Sequence, residues 1–372
     1  MSHKPEHLST GVIVPALNCA ETIDRALASI AAQTRPVDRV VVVNDGSDDS
    51  TGERAKAWQD ILPLTLVDLP TPTGIWNARH QAIEELDTRL VLQLDSDDFF
   101  HPAHVEVMVD TFRRRPGLIS PRPLIWRGGT DLAPSRIHKD TLPREGLSQL
   151  EQLLVHNYVF VGAMFDRALY HAVGGYRPIR YSQDWDLWIR MVEHGAEVIK
   201  PHDATYVYRS GAPSYSAGVD RDITDVEVLD TYLRSSVSTR MRHVAKIALL
   251  QRMGPRFLDR CTPLDPDEAE RRLHAAGLAP GADVLAAASD DDLGVLVQTR
   301  RAGPTTAGEA VTVLSVVDHD LRTERLRLRA TGTGLQVEHL HEPHLRLRRP
   351  PSAGAPAPNP AHPDARRTGE ET

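Results

Sequence analysis

The chain has 372 residues and a formal net charge of −8, with 41% hydrophobic and 25% charged residues. This length exceeds an ordinary single domain and predicts one large domain with an appendage. The acidic balance argues against a general nucleic-acid binder, which needs a basic surface to neutralise phosphates. Its two cysteines, Cys19 and Cys261, are too few for a disulfide framework. Residues 1–10 have no apolar signal-peptide core, and no apolar run is long enough to span a bilayer, so we expect a cytoplasmic protein.

The first part of the chain alternates apolar runs with amphipathic segments. Helices are predicted at Ala20–Gln33, where Ala26, Leu27 and Ile30 form an apolar stripe, and at Thr73–Glu85. The predicted strands are Gly11–Val14, ended by Pro15, then Val40–Asn44, Leu64–Leu69 and Leu90–Leu94. This alternation is typical of a parallel sheet with helices on both faces, so we predict an α/β fold with a Rossmann-like, mostly parallel sheet.

The following segment completes the same domain, for which we set the boundaries 1–220. A helix should run from about Pro102 to Arg115, but Leu118–Arg144 is rich in proline and glycine and supports no assignment. The further predicted elements are a helix at Leu147–His156, a strand at Tyr158–Phe165, a helix that ends at His194, and short strands at Ala196–Lys200 and Ala204–Arg209.

Beyond residue 220 the pattern changes. Val226–Leu258 predicts a helical extension, residues 221–260; its basic side chains could lie on an anionic membrane, although its scattered apolar positions favour packing against the large domain. A helix at Asp265–Ala276 and five short strands predict a small accessory domain, β-rich or α+β, at residues 261–349, which could serve acceptor recognition or formation of an oligomer. The strands are Asp283–Ala287, Leu293–Arg300, Val311–Val317, Arg325–Ala330 and Leu335–Leu340. Residues 350–372, rich in proline and alanine, predict a disordered tail.

Three acids follow the predicted strand Leu90–Leu94. Asp95, Asp97 and Asp98 would crowd their carboxylates at its carboxyl end, where two like charges about 4 Å apart repel by roughly 4 kcal/mol at an effective dielectric near 20. In open α/β sheets, ligands bind outside the carboxyl ends of the strands, and carboxylates there favour a divalent cation, Mn²⁺ or Mg²⁺, that holds a phosphate-bearing ligand. Asp-x-Asp recurs elsewhere in this acidic chain, so the pattern alone is weak evidence.

Six motifs occur in the order and approximate spacing of a known family. They are Val12-Ile13-Val14-Pro15-Ala16-Leu17-Asn18, Val43-Asn44-Asp45-Gly46-Ser47, Gly74 with Ala78-Arg79, Leu94-Asp95-Ser96-Asp97-Asp98, Val173-Gly174-Gly175-Tyr176 and Gln183-Asp184-Trp185-Asp186-Leu187-Trp188. With these motifs the chain resembles glycosyltransferase family 2 over about Ser9–Ser216. The resemblance implies the nucleotide-sugar-binding GT-A fold and inverting chemistry.

The resemblance also places the nucleotide sugar against the strand ends. Asp45 would hydrogen-bond the base, although an aspartate here could instead organise the Asn44–Ser47 turn. Asp95 would contact the ribose or the metal, and Asp97 would coordinate the cation that bridges the phosphates. Arg79 could reach the diphosphate, or it could be a solvated surface charge. The implied nucleotide-sugar-binding residues are Pro15, Ala16, Asn18, Asp45, Gly74, Arg79, Asp95, Ser96 and Asp97, with Asp95 and Asp97 as metal ligands.

Asp184 is the predicted general base for the acceptor hydroxyl. It corresponds to the second acid of the family's Glu-Asp pair, in which Gln183 here replaces the glutamate and removes one negative charge near the base. Helix N-capping is the alternative role for Asp184, and both roles can hold together. Asp186 is expected to be a first-turn helix charge. Trp185 and Trp188 could stack on a sugar, but we expect one of them to face the core.

These features predict metal-dependent, inverting transfer of one sugar from a nucleotide-diphosphate sugar, a UDP-sugar in most of the family, to an unidentified acceptor. The Gln-x-x-Arg-Trp motif of the family's processive members is absent, which favours single transfers. A sugar nucleotidyltransferase is the first alternative, but it would want a basic, glycine-rich loop after the first strand, and Pro15–Glu21 has neither Lys nor Arg. A non-catalytic nucleotide-sugar-binding protein is the second alternative, which the intact Asp95, Asp97 and Asp184 disfavour.

Overall fold

The computed structural model describes residues 7–128, 132–134, 147–210, 221–235, 238–253 and 262–275, and five strands between residues 284 and 339. Strands β1 to β11 are Thr10–Ala16, Arg39–Asp45, Leu64–Leu69, Leu90–Gln93, Phe99–Phe100, Leu118–Ile119, Arg122–Trp126, Leu132–Pro134, Met164–Asp166, Val198–Ile199 and Ala204–Arg209. Helices α1 to α7 are Ile23–Ala31, Thr51–Ala57, Ile75–Glu84, His104–Arg114, Gln149–Val155, Arg167–Ala172 and Gln183–Glu193, with a short 3₁₀ helix at Trp58–Asp60.

Seven of these strands form a central sheet in the order β10-β6-β9-β4-β1-β2-β3. Every neighbouring pair is parallel except the pairs of β9, which is antiparallel to β4 and β6. Because β1, β2 and β4 are parallel neighbours, their carboxyl ends meet at one edge of the sheet, where loops can converge on a ligand.

Alternate residues of the central strands point into two different apolar cores. Val12 and Val14 of β1 pack with residues of α1 and α4 in one core, while Ile13 packs with residues of α3 and α7 in the other. The valines of β2 divide in the same way. Burial on both faces explains the unbroken apolar sequence of these strands, and it confirms the predicted α/β sheet with helices on both faces.

Strand β1 continues through Pro15, where the sequence predicted its end. Its pairing with β4 stops at Ile13, which faces Gln93, and the carbonyl of Ile13 accepts from the amide of Leu94. Consecutive residues of a strand direct their backbone groups to alternate sides, so the nitrogen of Pro15 points past the end of β4. The missing N–H group therefore costs no ladder hydrogen bond.

A second, four-stranded sheet has the order β5-β11-β7-β8 and joins the central sheet through the loop after β4. Strand β11 is parallel to β7 and antiparallel to β5. Strands β6, β7 and β8 lie in the segment for which the sequence supported no assignment. Each has only two to five residues, which is too short to show a clear periodic pattern.

The predicted strand Tyr158–Phe165 is wrong over most of its length, since only Met164–Asp166 forms a strand. Tyr158, Val159 and Phe160 are buried although they are not in a strand. The amide of Phe160 donates to Ser120 Oγ at 3.0 Å instead of to a neighbouring strand. The apolar run that predicted a strand is therefore a buried loop.

The C-terminal part contains α8 to α10 at Arg221–Leu233, Thr239–Met253 and Pro266–Ala275, so the single helix predicted at Val226–Leu258 is two helices. Strands β12 to β17 are Thr262–Pro263, Val284–Asp290, Val295–Ala302, Val311–Asp318, Thr323–Thr331 and Gly334–His339. They form an antiparallel sheet in chain order. The domain boundaries at residues 220, 260 and 349 stay predictions, and the predicted tail, residues 350–372, lies outside the described residues.

Helices α8 and α9 pack on the large domain, as their apolar pattern favoured. Val228 of α8 and Val244 and Leu249 of α9 belong to the same core as Trp185 of α7. Among the helices that the structure describes, none is long and apolar enough to cross a membrane.

A buried carboxylate joins α5 to α9. Glu151 accepts a hydrogen bond from the amide of Ser148 at 2.7 Å, in a capping box at the start of α5, and it pairs with Arg240 of α9. Burial would raise the pKa of Glu151, but the hydrogen bonds from Arg240 and Ser148 outweigh it and hold the pKa below its ordinary value of 4.5.

We expect Glu151→Gln to lower the free energy of unfolding at pH 7 by about 1–3 kcal/mol, because it removes a charge-assisted hydrogen bond from a buried site. A depressed pKa in the folded state stabilises the protein fully above the unfolded pKa, and this stabilisation is lost progressively as the pH falls toward and through the folded pKa. The difference between the two proteins should therefore shrink from pH 7 to pH 4. Urea denaturation at both pH values measures it, and equal stabilities at pH 7 would contradict the assignment.

Candidate active site

A single tyrosine holds the acidic loop, residues 95–98, that follows β4. The buried hydroxyl of Tyr206 donates to Asp98 Oδ2 at 2.9 Å and accepts from the amide of Asp95 at 3.2 Å. Its ring lies against Gly162, where an added Cβ would be 2.2 Å from a ring carbon. The amide of Arg209 donates to Asp98 Oδ1 at 2.8 Å. With both oxygens engaged by the protein, Asp98 anchors the loop to β11.

Arg79 of α3 lies behind the acidic loop and connects two of the predicted site acids. Its Nη2 donates to Asp95 Oδ1 at 2.6 Å, and its side chain is only 2% exposed. Burial would lower the pKa of this guanidinium, but the charges of Asp95 and Asp184 contribute to a net increase. The structure therefore brings Asp95 and Asp184 to one cation at the same edge of the sheet. The alternative of a solvated surface charge for Arg79 is wrong, and its contact with a diphosphate stays a prediction.

Asp97 carries the least compensated charge of the loop. It is half-buried, and no ion pair to it is found among the described residues. Burial and the neighbouring Asp95 raise the pKa of Asp97 to about 6. Burial, Asp95 and Asp97 likewise raise the pKa of Asp98 well above its ordinary value. A cation at this position would relieve the repulsion.

The donor set fits a divalent cation that is shared with a bound phosphate. Asp97 offers hard carboxylate oxygens, and Asp95 keeps the oxygen that Arg79 does not occupy. In the described part of the chain, no cluster of three or more Asp, Glu, His or Cys side chains could hold an ion. Such a pair of carboxylates is typical of Mg²⁺ sites in which phosphate and water supply the other ligands.

We expect Tyr206→Phe to weaken the loop while it keeps the ring. Loss of the hydroxyl leaves the Asp95 amide without this acceptor and removes one hydrogen bond from buried Asp98, at a cost of about 1–3 kcal/mol in the free energy of unfolding. The affinity of the acidic loop for Mn²⁺ should fall, as measured by calorimetric titration of the protein with Mn²⁺.

The matched control for this variant is Tyr232→Phe on α8, which also removes a tyrosine hydroxyl bound to a carboxylate. Tyr232 donates to Glu193 Oε1 at 3.1 Å, away from the acidic loop. It should lose stability without any change in the affinity for Mn²⁺. An unchanged affinity for Mn²⁺ in Tyr206→Phe would show that the hydroxyl does not position the loop.

Asp45, at the carboxyl end of β2, holds the start of α3. Its carboxylate accepts from the amide and hydroxyl of Thr73, both at 2.7 Å, and from the amide of Gly74 at 2.9 Å. Gly74 has a φ of 97°, a conformation that favours glycine. Asp45 therefore organises a turn, but not the Asn44–Ser47 turn considered from the sequence. Its contact with a base stays a prediction.

The loops after β1 and β2 are tied together beside this turn. The amide of Asn18 donates to Ser47 Oγ, and Asn18 Oδ1 accepts from the amide of Asp48, both at 3.0 Å. Pro15 and Ala16 are buried at the end of β1, while Asn18 is exposed. The predicted base-binding residues thus lie together at the sheet edge, and their contacts with a nucleotide stay predictions.

Asp184 lies in the first turn of α7 and is half-buried. Burial raises the pKa of its carboxyl, although the charge of Arg79 and a backbone hydrogen bond oppose the rise. Tyr176, from the predicted glycine turn, lies near the same charges and donates to Gln93 Oε1 at 2.5 Å. The carboxylate is thus held in a partly desolvated position beside the Arg79–Asp95 pair.

Asp186 and the two tryptophans of α7 are buried in the protein. Asp186 is buried and pairs with Arg190 at 2.6 Å and with Arg177 at 3.4 Å, so it is more than a first-turn helix charge. Trp185 and Trp188 are both fully buried, whereas the sequence led us to expect one of them in the core.

Sequence reasoning missed Tyr206, Gly162 and Asp98 as the parts that fix the acidic loop. Tyr206 lies in a correctly predicted strand, but the sequence carries no signal for the partner of its hydroxyl. Ser96 is half-buried within the loop, close enough to Cys19 for a hydrogen bond.

Comparison with known structures defines the class of the fold. The chain is similar to TarS residues 1–349 of Staphylococcus aureus with a TM-score of 0.55 and 17% identity, over 72% of this chain and 80% of that chain. The mostly parallel sheet is that of the GT-A glycosyltransferases.

The family follows from the sequence match. Residues 11–174 match the family model described as "Glycosyl transferase family 2". This match and the named glycosyltransferase relatives support a glycosyltransferase with a family 2 domain at these residues.

Curated relatives extend the similarity beyond the family model. The "Amylovoran biosynthesis glycosyltransferase AmsE" of Erwinia amylovora is 24% identical over 194 residues, which are 52% of this chain and 72% of the relative. The "PGL/p-HBAD biosynthesis glycosyltransferase" of Mycobacterium bovis is 27% identical over 261 residues, which are 67% of this chain and 92% of the relative.

Proposed function

We propose that the protein transfers one sugar from a nucleotide-diphosphate sugar to an acceptor hydroxyl, with inversion at the anomeric carbon and with a divalent cation. The observation that carries this proposal is the position of Arg79, whose charge acts on both Asp95 and Asp184. The carboxylate proposed for the phosphate side and the candidate base thus lie near the same guanidinium.

Asp97 and Asp95 would hold the cation at the acidic loop. When bound, Mn²⁺ or Mg²⁺ supplies Lewis-acid stabilisation of the charge that develops on the leaving diphosphate. Arg79 engages Oδ1 of Asp95, so Oδ2 would be the oxygen that turns toward the cation and the donor. Tyr206 fixes the loop so that these carboxylates need little reorganisation on binding.

Asp184 would act as the general base. Its carboxylate accepts the proton of the acceptor hydroxyl while the acceptor oxygen bonds to the anomeric carbon and the bond from that carbon to the diphosphate oxygen breaks. Attack on the face opposite the leaving group inverts the anomeric configuration. Its raised pKa makes Asp184 a stronger base than an ordinary aspartate and matches it better to neutral pH.

UDP sugars are the first donors to test. The similar structure of TarS was solved in complex with UDP-GlcNAc, and UDP sugars are the usual donors of the resembled family. The loop after β1, residues 17–22, contains neither Lys nor Arg, and this disfavours the nucleotidyltransferase alternative.

A thermal-shift screen with nucleoside diphosphates and nucleotide sugars, with and without Mn²⁺, tests the proposal. A ligand that binds only the folded state raises the melting temperature, so we expect one nucleotide sugar to raise it more with Mn²⁺ than without. That donor should then release its nucleoside diphosphate in the presence of an acceptor. Binding without turnover across an acceptor library would favour the non-catalytic alternative, and release of pyrophosphate from a nucleoside triphosphate would favour the nucleotidyltransferase.

A further inference from the structure

The turn in front of α7 and the helices that hold it all lie beyond residue 174, where the match to the family model ends. Ser182 has a φ of 54°, in the left-handed region that residues other than glycine rarely adopt, and its side chain makes no capping hydrogen bond to α7. Its Oγ lies 3.4 Å from Thr224 Oγ1 and 3.4 Å from Asp225 Oδ1, both on α8. The Ser182 hydroxyl is therefore directed to α8 and not to the backbone amides of α7.

Arg252 of α9 contacts residues of three other helices, α8, α5 and α7, close to this turn. Its Nε donates to Asp225 Oδ2 at 2.8 Å, and its Nη2 donates to the carbonyl of Val155, the last residue of α5, at 2.8 Å. Its guanidinium carbon lies 5.1 Å from the centre of the Trp185 ring in the first turn of α7. The Trp185 indole in turn donates to the carbonyl of Leu153 at 2.8 Å.

The two contact points of this network lie on either side of the candidate base. Ser182 precedes Asp184 by two residues, and Trp185 follows it directly. Ser182 is fixed through Asp225, and Trp185 is fixed by the guanidinium and by its own hydrogen bond. Any movement of the first turn of α7 relative to α3 and the acidic loop would displace the Asp184 carboxylate.

We propose that Arg252 is a positioning residue for catalysis, which holds the Ser182 turn and Trp185 so that Asp184 keeps its place beside Arg79. This inference rests on the proposed function, because it assumes that Asp184 is the base. It assigns the helical extension, which lies beyond the family match, a part in the transfer step. Displacement of a reacting group by about 1 Å can lower a rate by about 100-fold.

The test compares Arg252→Gln with Arg240→Gln in the full chain. Arg240 lies on the same helix and also pairs with α5, through Glu151, but no contact between Arg240 and α7 is found among the described residues. Both variants should lose stability, so stability alone does not distinguish them. Hydrogen exchange of the amides of residues 183–187 should speed up by about tenfold or more in Arg252→Gln and not in Arg240→Gln, since only the first loosens that turn.

Activity provides the second readout. With the UDP sugar that the wild type turns over, Arg252→Gln should lower kcat by about 10- to 100-fold with little change in the KM for that sugar, and Arg252→Lys should recover part of the loss. Arg240→Gln should keep the wild-type kcat at temperatures where it is folded. If Arg252→Gln does not fold, Asp225→Asn replaces it, because the amide keeps the size and removes the ion pair.

The outcomes separate the two proposals. Wild-type kcat in Arg252→Gln, or unchanged exchange at residues 183–187, would overturn the positioning role while the proposed function stands. A wild-type chain that transfers no sugar, or full activity in Asp184→Asn, would overturn the proposed function itself. In that case faster exchange would identify Arg252 as a structural contact only.

Discussion

Asp184→Asn is expected to lower the turnover number by about 100- to 10,000-fold, the usual contribution of a general base, while the dissociation constant for the donor sugar stays within about twofold of the wild-type value. Asparagine keeps the shape of the side chain but cannot accept the proton of the acceptor hydroxyl. Initial rates of nucleoside-diphosphate release measure the first effect, and isothermal titration with the donor and Mn²⁺ measures the second.

The control for this variant is Asp186→Asn, two residues further along α7. Asp186 pairs with Arg190 and Arg177 in a buried position. Its replacement should therefore lower the melting temperature, while the folded variant keeps a turnover number close to that of the wild type. The reverse pattern, with an active Asp184→Asn and an inactive but stable Asp186→Asn, would transfer the role of base to Asp186.

The acidic limb of the pH–rate profile should follow the same carboxylate. Burial raises the pKa of Asp184, and only the deprotonated form can accept a proton. Activity should therefore rise with pH through a value above the ordinary aspartate pKa of about 4. A profile that stays flat down to that ordinary value would contradict the role of base.

Asp97→Ala is expected to raise the Mn²⁺ concentration for half-maximal activity by at least about tenfold, since loss even of residues outside the first coordination sphere costs about 10- to 100-fold in metal affinity. Binding of the donor in the presence of Mn²⁺ should weaken in parallel, while the smaller binding signal without metal should persist. Titrations of Mn²⁺ in the activity assay and in calorimetry measure both effects.

Stability gives an independent check on the same residue. Burial and Asp95 raise the pKa of Asp97 to about 6, so its ionised form destabilises the metal-free fold at neutral pH. Asp97→Ala should therefore keep or raise the melting temperature of the metal-free protein. Asp98→Ala is the neighbouring control, and it should lower stability because the Tyr206 hydroxyl and the Arg209 amide lose their acceptor. An Asp97→Ala variant with wild-type Mn²⁺ dependence would exclude Asp97 as a ligand.

The parts of the fold that the sequence predicted well are those whose burial is periodic or complete. Leu64–Leu69 and Ala204–Arg209 are strands with the predicted bounds. The acidic loop was also expected at the end of β4, because a strand buried on both faces must stop where charged residues begin. These features depend on local sequence alone.

The parts that the sequence did not reveal depend on partners that are distant along the chain. Arg79 looked like either a ligand or a surface charge, and only its contact with Asp95 shows why a guanidinium can be fully buried. The same holds for Asp98, whose neighbours Tyr206 and Arg209 come from β11. Pattern reasoning also joined α8 and α9 into one helix, because neither proline nor glycine separates them in the sequence.

A crystal structure of the protein with Mn²⁺ and an unreactive analogue of its donor sugar would test the central claim most directly. The account predicts anomalous density for Mn²⁺ between Asp97 and both phosphates, and it predicts the Asp184 carboxylate on the side of the anomeric carbon opposite the diphosphate. Mn²⁺ bound away from residues 95–98, or Asp184 turned away from the sugar, would contradict it.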